Sequence, residues 1–117
     1  MSAEQLDVVI EQGATFAQRW EIQNKDLTSG YTFEAKFRTS HAATSAVLTL
    51  TNSGGSSLIV SKSGNHTHVT ADVSFTATAA LTAPSNGVYD LEYTQTSTQV
   101  RTRAFEGSYY ITPEATR

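Results

Sequence analysis

From Tyr31 to Arg38 the chain alternates without a break. Tyr31, Phe33, Ala35 and Phe37 fall on one side, and Thr32, Glu34, Lys36 and Arg38 on the other. Successive side chains of a strand point to opposite faces, so a period of two describes a strand with one dry and one wet face. A helix would scatter the same four apolar residues around its circumference. The period recurs along the sequence. Leu6, Val8 and Ile10 alternate with Asp7, Val9 and Glu11, and Phe16, Gln18, Trp20 and Ile22 share a face. Tyr89, Leu91 and Tyr93 do the same near the end.

The chain has 117 residues, which suits a single domain over 1–117. It holds no cysteine, so its core must form without disulfides or thiolate metal sites. The formal charge is -3, which speaks against a duplex nucleic acid as partner. No apolar run nears the roughly 18 residues of a membrane span. The polar start Met1-Ser2-Ala3-Glu4-Gln5 lacks the basic and apolar regions of a signal peptide, so a cytoplasmic start is expected. Ser and Thr make up about a quarter of the residues, and between regularly spaced Val, Phe and Tyr they read as wet strand faces.

Turn signals divide the alternation: Asn24-Lys25-Asp26, Gly54-Gly55, Ser63-Gly64-Asn65 and Asn86-Gly87. Residues 39–45 read as a loop, 47–51 and 58–60 as short strands, and 66–75 as a strand with Val69, Ala71, Val73 and Phe75 inward. One helical turn is expected near 76–83, with Leu81 as its buried plug. A hairpin centred on Thr96-Ser97 would join 88–94 to 99–112 and set Asp90 opposite Arg103, Glu92 opposite Arg101 and Tyr93 opposite Val100. Gly107 is the expected bulge. Seven or eight short strands without a long helix predict an all-β, immunoglobulin-like antiparallel sandwich, with a closed barrel as the alternative. In such a sandwich Tyr89 stands where a tyrosine corner falls, its hydroxyl bonding backbone in the preceding turn.

Several segments resemble, in order, those of small phage virion proteins. Glu11-Gln12-Gly13-Ala14-Thr15-Phe16 followed by Trp20 is similar to their opening, and Asp26-Leu27-Thr28-Ser29-Gly30-Tyr31-Thr32 to the entry of the next strand, with Ser29 inserted. Phe33-Glu34-Ala35-Lys36-Phe37-Arg38 resembles the strand that follows. Ala79-Ala80-Leu81 with Gly87-Val88-Tyr89-Asp90-Leu91-Glu92, the strand Val100 to Gly107, and the tail Thr112-Pro113-Glu114-Ala115-Thr116-Arg117 continue the match. The resemblance is weakest over 40–74. It points to immunoglobulin-like N-terminal domains of baseplate and receptor-binding-assembly proteins. It implies a virion component of tail, baseplate or fibre attachment, multimeric or multicopy, with other virion proteins as partners. It brings no catalytic residues.

Candidate chemistry is sparse. His66 and His68, two apart on one strand face with Asp72 beyond, have the spacing of paired metal ligands, and superficially resemble the His-x-His pairs of some phage tips. Two solvated histidines beside a turn would look the same. No Gly-x-Ser-x-Gly elbow exposes a nucleophile, so neither an enzyme nor a cofactor is expected. Trp20, Tyr109 and Tyr110 could stack on a sugar, although Trp20 shares its face with core residues. Tyr109 and Tyr110 are adjacent, so one points outward, and both are interface candidates. Asn65-His66-Thr67 has the glycosylation pattern but reads as a turn. The expected function is therefore assembly in a virion, the alternatives being a capsid decoration protein or a module that binds host glycans.

Overall fold

The computed structural model describes residues 3–52 and 57–114, so the Gly54-Gly55 turn lies outside the described residues. The described chain forms β1 (Glu4–Gln5), β2 (Val8–Glu11), β3 (Arg19–Ile22), β4 (Tyr31–Arg38), β5 (Leu48–Thr51), β6 (Leu58–Ser63), β7 (His66–Ala71), α1 (Phe75–Ala79), β8 (Ser85–Gln95) and β9 (Arg101–Thr112). One sheet runs β1-β9-β8-β4-β5, with β2 also on β9, and the other runs β3-β7-β6. This is the immunoglobulin-like sandwich, with a sheet order of the variable type: first strand beside last, and a three-stranded sheet opposite. It is antiparallel throughout except at β1 and β2, which pair parallel to β9. The first strand is broken at Leu6–Asp7, which is why the strands outnumber those read from alternation.

The inward halves of the alternating segments meet as one core. Phe33, Ala35, Phe37, Leu91, Tyr89 and Tyr109 of the larger sheet face Trp20, Val69, Ala71 and Leu58 of the smaller. Phe37 is its aromatic hub: its ring stacks on Tyr89 at 5.2 Å and meets Tyr109 edge-on at 5.5 Å and Phe16 at 6.2 Å. Each such pair adds about 0.5–1.5 kcal/mol beyond area burial.

Two threonines are buried with the apolar residues. Thr67 accepts from the Leu27 N–H at 2.8 Å and donates to the Lys25 carbonyl at 2.8 Å, fastening the connection from β3 to β4 onto β7. Thr78 of α1 accepts from the Gly13 N–H at 3.1 Å and donates to the Ala14 carbonyl at 2.7 Å. Thr67→Val keeps the shape and strands both partners, so urea titration should show a loss of about 1–3 kcal/mol.

Three local expectations are corrected here. The helix begins at Phe75, which is 61% exposed instead of inward, because β7 ends at Ala71 and Ser74 caps the helix by accepting from the Ala77 N–H. Its buried residue is Thr78, and Leu81 is only partly buried. Third, the bulge falls at Ala104 and not at Gly107, since Leu91 faces Phe105 while Glu92 faces Arg103. Gly107 serves a different purpose: a Cβ there would collide with the Leu6 carbonyl, which lies against it.

The last hairpin also differs. Gln95 and Val100 close a four-residue loop, with the Gln95 N–H on the Val100 carbonyl at 2.9 Å and the Gln99 N–H on the Gln95 carbonyl at 2.7 Å. A two-residue loop would need positive φ at one or both central positions, which Thr96 and Ser97 resist; Gln99 takes positive φ (61°) instead. Glu92 therefore faces Arg103, Thr94 faces Arg101, and Tyr93 faces Thr102, not Val100. A slip of two residues keeps every side chain on its face, so alternation could not detect it.

Candidate functional site

The outer face of the larger sheet carries most of the ion pairs among the described residues. Its ion pairs are those expected from sequence, but diagonal: Arg101 to Glu92 at 3.9 Å and Arg103 to Asp90 at 3.7 Å. Arg103 also reaches Glu92 at 3.9 Å and Glu106 at 3.1 Å, so one guanidinium serves three carboxylates. That arrangement offsets two like-charge oppositions, Glu34 against Glu92 and Asp90 against Glu106. The Glu106 bond holds the Arg103 pKa above its ordinary value; burial works against the rise, and the charges of Asp90, Glu106 and Glu92 add to it.

An open groove of about 290 Å³ crosses this face, bordered among others by Lys36, Arg38, His41, Arg101 and Arg103. It is solvated, so each pair has modest worth. Arg103→Met should still destabilise by roughly 1 kcal/mol in low salt, because three carboxylates lose their shared cation. The loss should shrink in 1 M NaCl; a melting shift independent of salt would contradict the electrostatic account.

Beyond the charged rows the same face turns apolar. Tyr110 is 43% exposed and Val9, its direct cross-strand partner on β2, is 56% exposed. Tyr109 points the other way, 2% exposed and packed on Phe37, which removes it as an interface candidate. Burial alone raises its hydroxyl pKa. Trp20 is equally interior, at 1% exposure. Of the three aromatic residues considered for sugar stacking, Tyr110 alone is on the surface.

The histidine pair lies on the opposite sheet. Glu21 of β3 stands across from His68, and its carboxylate faces both imidazoles, 3.5 Å from His68 Nε2 and 3.9 Å from His66 Nε2. The Asn24 N–H donates to His66 Nδ1 at 3.1 Å, which assigns the neutral ring its proton on Nε2, the atom aimed at Glu21. A protonated Nε2 has no lone pair for a metal. Asp72 lies past the end of β7, and His41 borders the groove of the other sheet. Among the described residues, no group of three or more His, Asp or Glu side chains is placed to hold a metal ion. Glu21 was the residue that sequence reading missed; it becomes visible only once β3 is paired with β7.

Neither a protein-family model nor a curated relative matches the chain. Among solved structures it is similar to the NK cell receptor Nkp44, described as a triggering partner in natural cytotoxicity. The identity is 15% and the TM-score 0.46, over 97% of this chain and 100% of that one.

Proposed function

We propose that the chain is a non-enzymatic structural protein of a phage virion, acting as an assembly module in the tail, baseplate or fibre attachment. The reading is carried by the ordered run of segments, from Gly13-Ala14-Thr15-Phe16 to Thr112-Pro113-Glu114, that resembles such proteins. The surface supports it in kind. A rigid ion-paired platform beside the exposed Tyr110 and Val9 offers a neighbour an aromatic anchor inside a polar surround, the usual composition of a protein interface.

The test uses particles. Tyr110→Ala removes surface area and leaves the core intact, so melting should shift by no more than a degree or two. Incorporation of the variant into purified particles should fall at least about tenfold, as the loss of one interface anchor predicts. Density for the chain on the tail or baseplate would support the reading. Density on the head lattice would favour a capsid decoration protein. Absence from particles, with specific binding on a glycan array, would replace both by a carbohydrate-binding module.

A further inference from the structure

The two sheets are unequal on one side. Both N-terminal strands lie along β9, so among the described residues no strand pairs with the outer edge of β3, where sandwiches of the constant type place their first strand. The Ala71 N–H donates to the Gln18 carbonyl, and the Phe16 and Val73 backbones bond each other both ways. Even-numbered residues of this segment therefore direct their backbone toward β7, and Arg19 and Glu21 direct theirs to the open edge. The Arg19 carbonyl is met by its neighbour's Gln18 Nε2 at 2.8 Å, in an exposed bond that a competitor can replace.

Beside that edge lies a slot of about 260 Å³, floored by Ile22, Tyr93, Ala104 and Phe105. Glu4 and Glu21 stand on its rim with Lys25 and Arg103, two charges of each sign. The volume falls below the roughly 300–1,000 Å³ of small-ligand pockets, and suits one or two apolar side chains. The edges at β5 and β6 are differently built. At β5 the Thr51 N–H is taken by the Ser57 hydroxyl, and β6 carries Lys62, a usual guard of an edge strand.

We propose that β3 accepts an extended peptide segment of a partner protein as a fourth strand of the smaller sheet, seating one apolar side chain in the slot. Edge N–H and C=O groups spaced every second residue are matched by another backbone, and the slot supplies side-chain choice, which is the physics of strand addition. The occupant is a single extended segment and not a folded domain, because the edge offers alternating backbone groups and the slot of about 260 Å³ beside it admits only one or two apolar side chains. Mixed rim charge selects a segment without net charge around its apolar residue. The inference stands on this geometry and does not depend on the virion reading.

The experiment selects binders from a library of unstructured twelve-residue peptides against the whole chain. Enriched peptides should carry an apolar residue within polar alternation and shift the amide signals of Arg19 and Glu21. Glu21→Pro removes an edge donor without deleting a native ladder bond, and Ala104→Leu fills the slot. Each variant, checked by its melting temperature, should weaken binding at least about tenfold, or 1.4 kcal/mol. Enriched peptides whose affinity survives both substitutions would overturn the proposal, as would shifts confined to the larger sheet or no enrichment at all. A dimer in sedimentation that Glu21→Pro dissolves would overturn it in favour of a second copy.

Discussion

Tyr89→Phe is expected to lower the unfolding free energy by about 2–4 kcal/mol for the loss of one oxygen atom. The Tyr89 hydroxyl accepts from Trp20 Nε1–H at 3.1 Å and donates to the Leu6 carbonyl at 2.5 Å. It thus joins β3, β8 and the break between β1 and β2, with the Trp20 bond buried and the Leu6 bond partly so. Phenylalanine would leave the buried Trp20 donor and the partly buried Leu6 acceptor without this partner, and a buried group so stranded costs about 1–3 kcal/mol. Thermal melting should drop by roughly 10 °C. In a double-mutant cycle with Trp20→Phe the effects should fall short of additivity, since each substitution already breaks the shared bond. A drop under 2 °C would show that water or a relaxed backbone replaces the hydroxyl.

The same group gives the protein an alkaline limit. Burial pushes the Tyr89 pKa up to about 12; the Trp20 N–H bond works against that rise, and the Asp7 carboxylate adds to it. The folded state therefore holds this proton more tightly than the unfolded chain, whose tyrosine titrates near 10. The stabilisation is complete below pH 10 and is lost as pH climbs from 10 toward 12. Tyr89→Phe should flatten that descent without abolishing it, because burial raises Tyr109 as well.

Gly107→Ala is expected to have the second large effect, about 2–4 kcal/mol by urea titration, in the range of overpacking and lost buried bonds. Gly107 is the direct partner of Tyr89 on β9, and the Leu6 carbonyl occupies the space a side chain would need. A Cβ must push that carbonyl away from the Tyr89 hydroxyl, and the N-terminal strand with it. The change acts on the hydroxyl network from the opposite side, so combined with Tyr89→Phe it should cost well under the sum. Full additivity would mean that the steric displacement leaves the Leu6 carbonyl on Tyr89.

What the sequence revealed follows from what a period of two encodes. The inward sets Phe33-Ala35-Phe37 and Tyr89-Leu91-Tyr93 are legible because burial acts on every second residue of a strand. Trp20 is placed in the core for the same reason. Partners are less legible. The register of β8 on β9 depends on Gln99 adopting positive φ, and a two-residue slip leaves the alternation unchanged. Gly107 carries a local signal, a glycine in a strand, but the signal does not tell a bulge from a close approach, and the cause is Leu6, a hundred residues earlier. Tyr89 was assigned its anchoring role from its place two residues after Gly87, yet its acceptor is Leu6 and not the preceding turn. The Glu21 cluster joins β3 to β7, and the slot draws on β1, β3, β8 and β9, so no local pattern announces either.

The parallel pairing of β1 and β2 with β9 sets how the molecule carries load. The chain enters beside Phe105 and leaves beyond Thr112, at opposite ends of one ladder. Traction on residues 4 and 112 therefore slides β2 along β9 and strains many hydrogen bonds together. Traction on Ser85 and Ile111, which are paired at one end of the β8–β9 ladder, opens bonds in turn. In single-molecule pulling the first geometry should withstand clearly higher force than the second. Copies joined end to end would transmit tension through the sandwich as a tie rather than yield as a zip.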